Sequence, residues 1–174
     1  MLTNQQQVAQ FLKHAIVEDI YEQFNVLVWI DWREAEEDVI AYFNEQLPIT
    51  DQIACKIAEI DKPRGVDIVL TSQEKMMTIP FADDRTDRDS AIRAMQDMLS
   101  PRYQIRWFME SLGDDTLAFV LLPARQWKEL EQQFGKRKVD YYFQPVTNSS
   151  VMFELDIDEV MAYIQQRDTE RPNI

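Results

Sequence analysis

The chain has 174 residues, with 31 Asp and Glu against 18 Lys and Arg, for a formal net charge of −13. At 45% apolar residues, with 4 Trp, 6 Tyr and 9 Phe, it can build a core that buries about 70% of the unfolded surface. One Cys excludes an internal disulfide and any multi-cysteine metal centre, and one His excludes every site that needs two. Charge of this sign disfavours bare nucleic acid and anionic membranes as partners.

Residues 4–24 carry apolar side chains at Val8, Phe11, Leu12, Ala15, Ile16 and Ile20, steps of three and four that predict one helix. The apolar run 26–30 fits a strand or a buried helix, and period does not decide between them. Asp31 and Glu34 form a capping-box pattern for a second helix, with Trp32, Ala35, Val39, Phe43 and Leu47 on its apolar side up to Pro48. A third helix is expected over 51–60, stopped by the Asp61-Lys62-Pro63-Arg64-Gly65 punctuation. Beyond it, 66–71 and 75–81 read as strands, and Thr86 and Asp89 offer caps for a helix through Leu99. Residues 103–110 and 116–122 flank Gly113-Asp114-Asp115 as a hairpin, and a helix from Pro123 ends at Gly135. Strands are expected at 139–146 and 151–155. Asp156 with Glu159 caps a last helix, and 168–174 should be a loose tail.

The expected architecture is α+β in a single domain, residues 1–174. A mainly helical part, 1–62, packs on a mostly antiparallel sheet with helices on one side, built from strands alternating with helices over 66–167. Strand–strand–helix occurs twice, at 66–99 and 103–134. No basic or apolar leader is visible, and the longest apolar runs fall well short of the ~20 residues that span a bilayer, so a cytoplasmic protein is expected.

The catalytic inventory is thin. His14 has Glu18 one turn later on the expected first helix, a spacing that suits a solvated i,i+4 neighbour as well as an oriented imidazole. Cys55 falls in the expected third helix, with nothing near it in sequence to stabilise a thiolate. The three glycines, Gly65, Gly113 and Gly135, lie too far apart for a phosphate-binding loop. No cofactor is expected. Among the acids, Asp83, Asp87 and Asp89 approximate the alternating oxygens of a calcium loop. Arg85 occupies one of its positions, however, and the sharp-turn glycine is missing. Glu36 projects toward the apolar side of the second helix, where burial would raise its pKa. Lys136-Arg137-Lys138 is the one basic triplet. Tyr141, Tyr142 and Phe143 read as an aromatic strand with at least one exposed ring.

The most distinctive feature is a strip of acids on the second helix. Glu34, Glu37, Asp38 and Glu45 fall within about 100° of arc, and no Lys or Arg interrupts them. Residues 1–64 hold 12 acids against 5 bases. In gross build, small, acidic, α+β, with one cysteine and no catalytic motif, the chain resembles the immunity proteins that bacteria make against their own toxins. That resemblance implies a non-catalytic intracellular inhibitor which masks a basic toxin or nucleic-acid-acting enzyme, with the acids standing where phosphates would bind. Two other readings follow from the residues: a divalent-metal enzyme or binder using Asp83, Asp87, Asp89 or Glu36, and a homo-oligomeric scaffold joined through aromatic strands.

Overall fold

The structure, a computed structural model, describes residues 1–174. In chain order the elements are α1 (Asn4–His14), α2 (Val17–Gln23), β1 (Val28–Asp31), α3 (Glu36–Glu45), β2 (Ala54–Glu59), β3 (Val66–Thr71), β4 (Met76–Thr78), α4 (Arg88–Leu99), β5 (Tyr103–Phe108), β6 (Thr116–Pro123), α5 (Ala124–Phe134), α6 (Lys136–Tyr142), β7 (Phe143–Pro145) and α7 (Ile157–Glu170). Seven helices and two antiparallel sheets make this an α+β protein. No helix is long and apolar enough to cross a membrane. The chain divides into two compact units, one of residues 1–32, 101–145 and 155–174, the other of 33–100 and 146–154.

The first unit is built on the sheet β1–β6–β5–β7. β6 is central, and its run Leu117 to Leu122 is buried on both faces, which is why that stretch does not alternate with polar residues. The expected hairpin forms between β5 and β6 and pairs Ile105 with Leu121 and Phe108 with Ala118. Of residues 26–30, ambiguous by period, 28–30 enter the sheet in β1. Phe11 sits at the aromatic centre of the core, edge-on to Phe108, Tyr142 and Phe143 at 5.2–5.6 Å between ring centroids. Edge-to-face pairs of this kind add about 0.5–1.5 kcal/mol each beyond burial.

Three expectations fail in this unit. The first helix breaks at Ala15, which is left-handed at φ 53°, so that Val8, Phe11 and Leu12 on α1 and Ile20 on α2 reach one core by a turn of the chain. Residues 139–146 are not a strand. α6 occupies 136–142, held by the Val139 N–H to Gly135 carbonyl bond and the Lys136–Asp140 ion pair one turn apart, and only Phe143–Pro145 pairs in a sheet. The tail is not loose, because α7 runs to Glu170 and Arg171 bonds both oxygens of Glu110 at 3.0 and 3.1 Å. Its start is as expected, with Asp156 and Glu159 closing a capping box.

The second unit contains the sheet β2–β3–β4, with α4 lying along β3 and β4 and α3 against α4. Val39, Ile40 and Phe43 of α3, Ile68 and Leu70 of β3, and Ile92 and Met95 of α4 are buried. Lys75 donates to the carbonyls of Asp97 and Ser100 at 2.9 Å, a cationic cap where the helix dipole is negative.

Residues 51–60 are corrected from helix to strand. Ile53, Ile57 and Ile60 fit a helical period, yet residues 54–59 pair with β3, and the 61–65 punctuation is the hairpin turn. Gly65 closes it at φ +76°, with its N–H on the Lys62 carbonyl and its own carbonyl accepting from Ile60. Asp31 does not cap α3. It ends β1, and α3 starts after Ala35 without a side-chain cap. Residues 151–155 form no strand, because the N–H groups of Met152, Phe153 and Glu154 all bond the Asp89 carboxylate.

Candidate functional site

α3 opens with Glu36, Glu37 and Asp38 in its first turn, where three negative charges face free N–H groups and the positive end of the dipole. That favourable location ends within a turn. Glu45 lies in the last turn, where the dipole opposes a negative charge, and Glu34, expected on this helix, instead precedes its N-cap Ala35. Helix stability thus accounts for Glu37 and Asp38 but not for Glu45.

Tyr42, absent from the sequence reading, joins this group. Its hydroxyl bonds the Glu34 carboxylate, and that bond, with partial desolvation and the fields of Glu34, Asp38 and Glu45, holds its pKa above the ordinary range. The four-residue step from Asp38 to Tyr42 was the available signal. The Glu37 charge is also felt at Cys55 on β2. Burial first and the Glu37 charge second push the Cys55 thiol up, which disfavours the thiolate a nucleophile needs. Cys55 is exposed on a strand, not set within a helix.

None of Glu34, Glu37, Asp38 and Glu45 forms an ion pair. Elsewhere several cations are paired: Arg64 with Asp67 at 2.6 Å, Arg85 with Glu154 at 2.8 Å, and Arg167 with Glu110 at 2.6 Å. Arg106, 3% exposed inside β5, reaches Glu131 at 2.6 Å and Asp140 at 3.0 Å, with its guanidinium 4.5 Å above the Trp127 ring.

The remaining candidates disperse. Asp83 is taken by Lys62 and Arg64, which hold its pKa below the usual carboxylate range. Asp87 caps α4 through the Ser90 N–H at 2.6 Å, and Asp89 is buried beneath the 152–154 backbone. No three His, Cys, Asp or Glu side chains converge as metal ligands. Glu36 is 9% exposed at the start of α3. His14 is the last residue of α1, and the left-handed Ala15 removes the helical spacing to Glu18. Lys136, Arg137 and Lys138 begin α6 and follow the α5 stop. Tyr141, Tyr142 and Phe143 are all buried, at 6%, 5% and 0%, so the expected exposed ring is not there. A cavity of about 450 Å³ bounded by Met1, Leu2, Gln7, Phe24 and Asn25 offers one carboxylate, Glu22, and no histidine or cysteine. No protein-family model, no curated protein and no solved structure matches the chain, so α3 and its surroundings are the ground for a functional reading.

Proposed function

We propose that the protein is a non-catalytic binding module that docks a basic protein through α3, most concretely an inhibitor that masks a toxin or nucleic-acid-acting enzyme. One observation carries this reading: Glu34, Glu37, Asp38 and Glu45 gather four carboxylates on and just before one short helix, and no cation pairs with any of them. Carboxylates grouped without counter-charge raise the local negative potential, which steers a cationic surface into encounter and rejects anionic ones. Tyr42 adds an aromatic ring at the edge of the strip, the residue type that most often anchors an interface. The Glu34 bond to its hydroxyl fixes the ring and reduces the ordering cost on binding.

The test is capture of a basic protein from host lysate at low salt, followed by binding measurements on the purified pair. Association should slow steeply with ionic strength, as screened steering requires. Reversing Asp38→Lys together with Glu45→Lys should weaken the complex by about tenfold or more. Binding that ignores both salt and the reversals would sink the reading.

A further inference from the structure

β2 leaves one side of its backbone without a partner. The register pairs Ala54 with Thr71, Lys56 with Val69 and Ala58 with Asp67, and the 3.0 Å bond from the Ile60 N–H to the Gly65 carbonyl fixes the phase of the ladder. Hydrogen-bonded pairs alternate in an antiparallel ladder. Ala54, Lys56, Ala58 and Ile60 therefore point their N–H and C=O groups at β3, whereas Cys55, Ile57 and Glu59 point theirs outward. The Ile68 carbonyl accepts from Ile79 at 2.9 Å, so the opposite side of β3 is filled by the β4 strand as this phase demands. In the order β2–β3–β4 no strand lies beyond β2. Cys55, Ile57 and Glu59 are all exposed, Ile57 to 46%.

Free edges are usually shortened, bulged, covered, lined with charge or broken by proline. This one is six residues long, continuous in register and free of proline, with Lys56 as its single cation. Such an edge accepts a strand, and its charges select which strand. The side chains of Cys55, Ile57 and Glu59 share one face. On that face a newcomer meets Cys55, which feels the negative charge of Glu37, then Ile57, then the Glu59 carboxylate. A second copy paired antiparallel about Ile57 sets Glu59 opposite the Cys55 of its mate, where that copy's Glu37 charge is felt, and symmetry repeats the conflict. A segment with basic residues at the outer positions and an apolar residue at the middle meets opposite charge at both ends.

We propose that β2 is the docking edge for an extended segment of the partner with the pattern basic–x–apolar–x–basic, which adds a strand to the β2–β3–β4 sheet. The proposal takes the sign of the partner's charge from the α3 reading, and it puts the contact on a different element. Backbone hydrogen bonds supply the affinity, and the alternate side chains supply the selectivity.

The probe is the peptide acetyl-Ser-Lys-Thr-Val-Thr-Lys-Ser-amide, titrated into isotope-labelled protein and followed by amide shifts and hydrogen exchange. Shifts and protection should concentrate at Cys55, Ile57 and Glu59. A peptide with glutamate in place of lysine, or one N-methylated on alternate residues, should bind about tenfold more weakly or worse. Ile57→Pro removes an outward N–H without touching the bonds to β3, a placement that edge strands tolerate, and it should abolish peptide binding. Glu59→Lys leaves the backbone intact and should shift preference from the lysine peptide to the glutamate peptide, which keeps the test decisive if the proline variant folds poorly. Shifts that are absent at millimolar peptide or confined to α3 overturn the proposal. So does light scattering at twice the chain mass with β2 amides already protected, which would make the occupant a second copy. A captured basic partner that binds Ile57→Pro as tightly as wild type removes strand addition and leaves the α3 reading standing. Peptide pairing at β2, with partner binding indifferent to Asp38→Lys and Glu45→Lys, does the reverse.

Discussion

Asp89 is 1% exposed, and its carboxylate accepts three backbone N–H groups, from Met152 and Phe153 at 2.9 Å and from Glu154 at 3.3 Å. Each charge-assisted bond of this type contributes about 1.5–3 kcal/mol, and a buried donor left without its acceptor carries its own desolvation penalty. Asp89→Ala should therefore destabilise the protein by about 3–5 kcal/mol, and Asp89→Asn, which keeps one acceptor oxygen, by roughly half as much. Urea unfolding of the two variants measures both, and a loss below about 1 kcal/mol would mean that the 152–154 segment holds its place without Asp89. At this scale the sequence was a partial guide. It marked Asp89 as a cap or metal ligand because an acid beside a helix start suits both. The actual partners lie more than sixty residues away and are main-chain groups, which no side-chain pattern announces.

Gly135 joins α5 to α6 at φ +86°, and a Cβ built on it meets nothing within 4 Å. The penalty of Gly135→Ala is thus backbone strain alone, about 1–3 kcal/mol, and thermal or chemical unfolding should register it without loss of secondary structure. Elements with local signals were legible in the sequence. The Asp156–Glu159 capping box, the α5 stop at Gly135 and the β5–β6 hairpin all carry their instructions within a few residues. The misread segments do not. Ile53, Ile57 and Ile60 satisfy a helical period as well as an alternating one, and only the existence of β3 as a partner decides for strand. Val139, Tyr141 and Phe143 alternate like a strand, yet the i,i+4 link from Lys136 to Asp140 and burial of both tyrosines favour a helical turn. The candidate site shows the same division. The acids of α3 could be found by spacing, whereas the open edge of β2 exists because of what fails to pair with it.

Over the whole molecule, neither compact unit is a continuous stretch of chain. One closes only with residues 155–174, the other only with 146–154. The first closure includes Arg167, 7% exposed, which reaches the Tyr141 carbonyl at 2.5 Å and Glu110 at 2.6 Å, with its guanidinium 4.1 Å above the Tyr141 ring. Ending the chain at residue 154 leaves Glu110 and Tyr141 without these partners. We expect that truncation to lose near-ultraviolet dichroism from the aromatic cluster, and an end at residue 145 to lose cooperative unfolding altogether. Cooperative denaturation of the shorter chain, with a native midpoint, would contradict this.

The interleaving also sets a clock on biosynthesis. A ribosome delivers residues in order, and everything up to residue 145 can emerge while both cores still lack their closing pieces. Until residues 146–174 follow, Asp89 lacks the N–H groups of residues 152–154, and Glu110 lacks Arg167 and Arg171. Arrival of residues 146–174, rather than of the first elements, determines when both units are complete.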